Sequence, residues 1–149
     1  METIVRTNSS NLDFQHLVAD LDQYLVKVNG DSHDFFHQYN NIDILHHTVV
    51  YYFENDPAGC GAIKKFDENT MEIKRMYVPP KMRGRGIAME ILKSLEKWAF
   101  ELGYQRCILE TSKTMVDAIG LYQKAGYNII PNYAQYAHVE SSVCFEKML

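Results

Sequence analysis

Residues 71–104 read MEIKRMYVPPKMRGRGIAMEILKSLEKWAFELGY, and the rest of the chain is organised around them. The spacing predicts a strand over 71–78, because Pro79 and Pro80 lack the N–H that a sheet ladder needs. A short basic loop, 79–86, follows. Ile87, Ile91, Leu95, Trp98 and Leu102 then recur at three- and four-residue intervals, which places them on one face of a long helix. Gly103 is positioned to cap its C-terminus. A glycine-containing loop that opens a helix directly after a strand aims several backbone N–H groups at one point. The helix dipole adds positive potential there, and Arg83 and Arg85 add full charges. The stretch is predicted to bind an anion, and a pyrophosphate suits it best.

Upstream, residues 3–6 are β-prone, and Asn11 is placed to cap a helix carrying Leu12, Phe14, Leu17, Val18, Leu21, Tyr24 and Leu25. That helix is expected to stop before Asn29-Gly30, a turn pair. Residues 31–41 (DSHDFFHQYNN) are polar and aromatic and read as an irregular or short helical segment over a cleft. His33 and His37 stand four apart, the separation for two metal ligands on one helical face. No further ligand cluster accompanies them, so no metal is expected. Residues 46–54 are dense in β-branched and aromatic side chains and read as a buried strand. A turn at 55–59, a strand at 60–66 and a turn at 67–69 lead into the 71–78 strand as an antiparallel meander.

Downstream, 105–111 reads as a strand placed parallel to 71–78 by a right-handed crossover. A second helix at 115–124, a short strand at 127–130, a tyrosine-rich loop at 131–139 and a last strand at 141–148 complete the order. The expectation is one α/β domain over residues 1–149, with a mixed, mostly antiparallel sheet flanked by helices. A length of 149 residues suits a single core, and 46% hydrophobic with 23% charged residues is ordinary globular composition. The formal net charge of −4 argues against nucleic acid as the partner. No apolar run approaches the roughly 20 residues that span a bilayer, and residues 1–30 hold no signal-type apolar core. A soluble, cytoplasmic protein with no membrane contact is predicted. Cys60, Cys107 and Cys144 are odd in number and form no C-x-x-C motif, so buried free thiols are expected. A catalytic cysteine would need a histidine base, and none is well placed.

Arg83-Gly84-Arg85-Gly86-Ile87-Ala88 resembles the acyl-coenzyme-A pyrophosphate loop of the GNAT N-acetyltransferase superfamily. The preceding EIKRMYV strand, the later Ala118-Ile119-Gly120-Leu121-Tyr122, and Gly126-Tyr127 resemble its other signatures, in the same order. The resemblance covers about half the chain, from residue 71 onward. It implies the GNAT fold, with the sheet splayed between two parallel strands, and acetyl-coenzyme A as co-substrate. Met76, Tyr77, Val78, Lys81, Arg83, Gly84, Arg85, Gly86, Ile87, Ala88 and Tyr122 are then the coenzyme-binding candidates. A bulge in the 71–78 strand would let the N–H near Met76 polarise the thioester carbonyl. Tyr122 matches the tyrosine beside the coenzyme sulfur and is the candidate general acid. Glu72 and Glu110 compete as general base, each with a solvated strand carboxylate as the plainer alternative. The tyrosine-rich loop before SVCFEK implies that Tyr133, Tyr136 and His138 overhang the acceptor pocket. Arg75 would either grip an acceptor carboxylate or pair with a neighbouring one.

Two residues depart from the superfamily pattern. Lys81 stands where the loop commonly begins with Gln or Arg, and Met115 stands where many relatives carry an Asn. Ser112 or Thr111 are the available substitutes for that Asn. A dinucleotide fold is excluded because no third glycine completes G-x-G-x-x-G, and a P-loop because G-x-x-x-x-G-K-[ST] is missing. The implied activity is acetyl transfer to a primary amine of a small molecule or peptide, by direct attack in a ternary complex. A non-catalytic acyl-coenzyme-A sensor of the same fold is the alternative. The resemblance allows a homodimer, and the acceptor is not readable.

Overall fold

The computed structural model describes residues 1–29 and 44–149. In chain order the elements are β1 (Glu2–Thr7), α1 (Leu12–Asn29), β2 (His47–Phe53), β3 (Asp56–Asp67), β4 (Thr70–Tyr77), α2 (Ile87–Glu101), β5 (Arg106–Ser112), α3 (Val116–Lys124), β6 (Asn128–Ile130) and β7 (Ser142–Met148). Short 3-10 turns lie at Pro80–Met82 and Ala134–Tyr136. The strands form one sheet in the order β1-β2-β3-β4-β5-β7-β6. Every neighbouring pair is antiparallel except β4 and β5, which run parallel across the α2 crossover. This is the expected mixed sheet of an α/β domain.

Helices cover both faces because the strands alternate. Val49, Ile63, Met71, Ile73, Leu109 and Phe145 point to one side and pack with Ile87, Ile91, Leu92, Leu95 and Ala99 of α2. Val50, Cys60, Ala62 and Tyr77 point to the other side and meet Phe14, Leu17 and Leu21 of α1. Burying each of these large side chains contributes about 1.5–3 kcal/mol before the entropy of ordering it. Asn11 caps α1 by accepting a hydrogen bond from the Phe14 N–H at 2.9 Å. At the end of α2, the Tyr104 N–H reaches the Ala99 carbonyl at 3.0 Å, with Gly103 as the expected cap.

The expected boundaries shift in three places. α1 continues through Asn29 rather than stopping before it. The β2–β3 turn is tighter than 55–59: Glu54 and Asn55 both take positive φ, and β3 starts at Asp56. Leu102 lies beyond α2 and is largely exposed, because the helix closes one residue before it. Residues 31–41, with His33 and His37, lie outside the described residues.

β4 departs from regularity at one point that matters. Cys60 pairs with Tyr77 and Ala62 with Lys74, so Arg75 and Met76 stand opposite the single residue Gly61. This is a β-bulge, and Arg75 adopts φ +59° within it. Parallel pairing to β5 covers only Thr70, Met71 and Glu72, after which the two strands part. The expected bulge and splay are therefore one connected feature.

Cys60, Cys107 and Cys144 are all free and buried. Burial pushes the thiols of Cys60 and Cys107 up to about 12 and that of Cys144 to about 11. None is a thiolate near neutral pH. Among the described residues no helix is long and apolar enough to cross a membrane.

Gly61 makes the bulge possible by leaving room. A Cβ placed there would meet Leu95 Cδ1 and Met76 Sδ at 2.8 Å and Ile91 Cγ2 at 2.9 Å. Gly61→Ala is expected to cost roughly 1–3 kcal/mol of stability by overpacking, read from a urea melt. A melt identical to the parent's would show that α2 and Met76 shift freely to accept the methyl.

Candidate active site

Where β4 and β5 part, a cavity of about 1000 Å³ opens between the first turn of α2, α3 and the C-terminal end of β4. Met76, Tyr77, Val78, Arg83, Gly84, Gly86, Ile87, Ala88 and Tyr122 line it, which gathers most of the expected coenzyme-binding residues. Lys81 and Arg85 are not among the lining residues; the Arg85 guanidinium sits 5.1 Å from the Phe53 ring centre. Arg83 is fixed at the mouth by a 2.9 Å hydrogen bond from its Nε to the Val78 carbonyl, and its guanidinium stacks 4.9 Å above Tyr24.

Gly84 and Gly86 hold φ of +81° and +78°, where a side chain would be strained. A Cβ on either would meet no protein atom within 4 Å, so the loop is a bare cradle open to a ligand. Gly86 caps α2 without a side-chain hydrogen bond. The first-turn N–H groups of Ile87, Ala88 and Met89, all lining residues, are those that a helix leaves without an intrahelical partner. The cradle fits a pyrophosphate.

A second cavity, of about 130 Å³, lies on the α1 side of the splay. It shares Leu21, Met76, Met115, Ala118 and Tyr122 with the large one, so the two meet at these residues. Tyr122 is buried, packed against Tyr127 and Phe145, and its phenol is pushed well above its usual pKa by burial. It is a neutral O–H at the junction.

Glu72, Lys74, Arg75, Glu110 and Tyr136 line the small cavity. The two carboxylates differ in their partners. Glu72 accepts a 2.6 Å hydrogen bond from the Tyr133 hydroxyl, and Lys74 Nζ lies 3.7 Å from its other oxygen. Glu110 accepts one from the Ser142 hydroxyl at 2.6 Å. Burial, and secondarily the charge of Glu72, push its pKa up to about 7, against the opposing effects of Ser142 and Lys74. Arg75 is held by Asp22 of α1 at 3.1 Å, so the neighbouring-carboxylate alternative is realised. Tyr133 makes edge-to-face contacts with Phe66 and Tyr136 and touches the site through Glu72, whereas His138 is exposed and outside the lining. Thr111, Ser112 and Met115 border the small cavity, where the missing asparagine would be sought.

Sequence reasoning missed Lys74, Asp22, Ser142 and the α1 residues Leu21 and Tyr24. Lys74 had a readable signal, because two residues from Glu72 on a strand is the same face. The others depend on packing between distant segments. In the Gly126-Tyr127 signature, Tyr127 donates to Glu96 of α2 at 2.8 Å, and Lys147 of β7 donates to the other Glu96 oxygen at 2.9 Å. Among the described residues no group of His, Cys, Asp and Glu is placed to hold a metal.

The family model for the GNAT acetyltransferases matches residues 14–127. Among curated proteins, the chain is 32% identical to the uncharacterized N-acetyltransferase YjgM of Escherichia coli over 52% of this chain and 48% of that one. It is 33% identical to the uncharacterized N-acetyltransferase YsnE of Bacillus subtilis over 62% of each. The chain thus spans between about half and three-fifths of the length of these relatives. A Klebsiella pneumoniae crystal structure, of a protein provisionally named an acyl-CoA N-acyltransferase, superposes with TM-score 0.82 at 27% identity over 100% of this chain and 98% of that one. A GNAT family acetyltransferase of Elizabethkingia anophelis, solved with acetyl-CoA bound, shares the fold with TM-score 0.70 at 19% identity, over 99% and 98% of the chains. With the glycine loop at the start of α2, the splayed parallel pair and the family match over 14–127 in agreement, this chain belongs to the GNAT acetyltransferase family.

Proposed function

We propose that the protein transfers an acetyl group from acetyl-coenzyme A to a primary amine of a small molecule or peptide. The observation that carries this reading is the meeting of two cavities at Tyr122, one floored by an anion cradle and the other by ionisable side chains. When bound, the coenzyme supplies a thioester whose acetyl group passes directly to the amine nitrogen. Gly84, Gly86, Ile87 and Ala88 hold its pyrophosphate through backbone N–H groups, with Arg83 adding charge at the mouth. The backbone of β4 beyond Glu72, freed from β5, is the edge along which the pantetheine amides are paired. The bulge aims the Met76 N–H at the carbonyl oxygen as charge develops there.

Protons are handled by two groups of opposite character. Tyr122, neutral and buried, donates to the departing sulfur. Glu110 takes the proton from the amine, a role its pKa of about 7 suits at neutral pH. Glu72 is less suited, because Tyr133 and Lys74 already engage it.

The direct test is calorimetric titration with acetyl-coenzyme A, followed by a thiol-release screen across amines. Binding with turnover supports the reading, binding without turnover moves the protein to the sensor reading, and no binding withdraws both. Gly84→Val is expected to weaken coenzyme binding by roughly tenfold or more, because its side chain enters the cradle; unchanged affinity would displace the pyrophosphate from this loop. For Tyr122→Phe, kcat is expected to fall by roughly a hundredfold while coenzyme affinity holds, since the lost proton matters in the transition state. Equal turnover would remove Tyr122 from the mechanism.

Glu110 makes a two-sided prediction. The rate should rise with pH through about 7 as Glu110 ionises, and Glu110→Gln should lose that inflection with most of its activity. Stability runs the other way. A carboxyl whose pKa is raised from the ordinary 4.5 to about 7 in the fold contributes stability below 4.5 that is lost as pH rises through 7. Glu110→Gln is therefore expected to be more stable than the parent at pH 8, by on the order of 1 kcal/mol, with the gap closing toward pH 5. A thermal melt that shows no gap at pH 8 would remove the burial argument.

A further inference from the structure

We propose that the acceptor is a small amine carrying no carboxylate beside its amino group, and that Asp22 enforces this by occupying Arg75. The proposal rests on the transferase reading and concerns the same site. Its first support is size. A cavity of about 130 Å³ holds only a few water-sized groups, so the part of the acceptor that enters is compact.

The second support is the pairing of charges. Among the described residues two cations line the cavity, Lys74 and Arg75, and either would hold an acceptor carboxylate if it were free. Neither is. Lys74 Nζ lies 3.7 Å from Glu72, Arg75 Nη1 lies 3.1 Å from Asp22, and the two cationic side chains are only 6% and 7% exposed. A carboxylate entering here would be a buried anion whose cations are already neutralised, which is costly. Glu110 is the converse case. Its hydrogen-bond partner is the Ser142 hydroxyl, and Lys74 acts on it only as a nearby charge, so its pairing leaves room for an ammonium or amine. Among the described residues, counting Glu72, Lys74, Arg75 and Asp22 as two neutral pairs leaves one carboxyl in the cavity to complement one positive group.

Asp22 is the residue that sets this balance from outside the cavity. Its neighbours on α1, Leu21 and Leu25, form part of the wall, and Asp22 reaches Arg75 at the bulge. Removing its charge while keeping its shape would turn Arg75 into an open carboxylate anchor.

The experiment compares matched pairs with acetyl-coenzyme A as donor: ethanolamine with serine, tyramine with tyrosine, and isobutylamine with valine. Each amine is expected to exceed its amino acid in kcat/KM by roughly tenfold or more. Asp22→Asn is expected to narrow that ratio by about threefold or more, chiefly by lowering KM for the amino acid. The double variant Asp22→Asn with Arg75→Gln should restore the parental preference. Amino acids that match or exceed their amines in the parent would overturn the proposal. So would an Asp22→Asn variant that slows both members equally, since the pair would then serve only to hold the bulge. Intact coenzyme binding with no turnover of any amine would overturn the acceptor class while leaving coenzyme recognition standing. Loss of coenzyme binding in the parent protein would instead overturn the transferase reading itself.

Discussion

Opposite Gly61, β4 runs two residues against one, and that mismatch turns the strand away from β5 after three parallel pairs. The opening between the strands, the position of Met76 and the meeting of the two cavities all follow from it. Such a bulge is not free. Arg75 sits in the left-handed region at φ +59°, which costs a non-glycine residue about 1–2 kcal/mol. Two contacts and one gap hold it there. Cys60 donates its S–H to the Arg75 carbonyl at 3.3 Å, Asp22 grips the guanidinium, and Gly61 leaves space for Met76. Local strain over-determined by its surroundings is the pattern found where backbone geometry serves chemistry.

Around this opening the protein separates two carboxylates that sit on neighbouring strands. Glu72 is committed to Tyr133 and Lys74, and through Tyr133 it anchors the turn that carries Tyr136 over the cavity. Glu110 accepts a hydrogen bond from the Ser142 hydroxyl and is desolvated, and burial raises its proton affinity into the neutral range despite the opposing pull of Ser142 and Lys74. The same residue type is thereby tied to a tyrosine and a lysine on β4 and left with a raised proton affinity on β5. Environment, not identity, divides the roles.

The anion loop was legible from the sequence because it is local: two glycines, two arginines and the start of a periodic helix occupy adjacent positions. Strand order and the parallel β4–β5 pair were legible for a related reason, since a strand–helix–strand unit admits one handedness. The different surroundings of Glu72 and Glu110 were not, because they depend on Tyr133 and Ser142, 61 and 32 residues away in the chain. Asp22 was likewise hidden, being one of several polar residues on an amphipathic helix until β4 packs beneath it. Residue types declare local geometry, while pairing across 53 residues, as for Arg75 and Asp22, appears only on folding.

The three cysteines have a practical consequence. Each is wholly inside the protein, and each thiol is held in its protonated form near neutral pH. The native chain is therefore silent toward thiol-seeking dyes, which react with the thiolate and need access to it. Colour developed by such a dye in the presence of folded protein therefore comes from thiols outside the polypeptide. If the fold opens, the same dye finds Cys60, Cys107 and Cys144, so one reagent separates small-molecule thiol from unfolding.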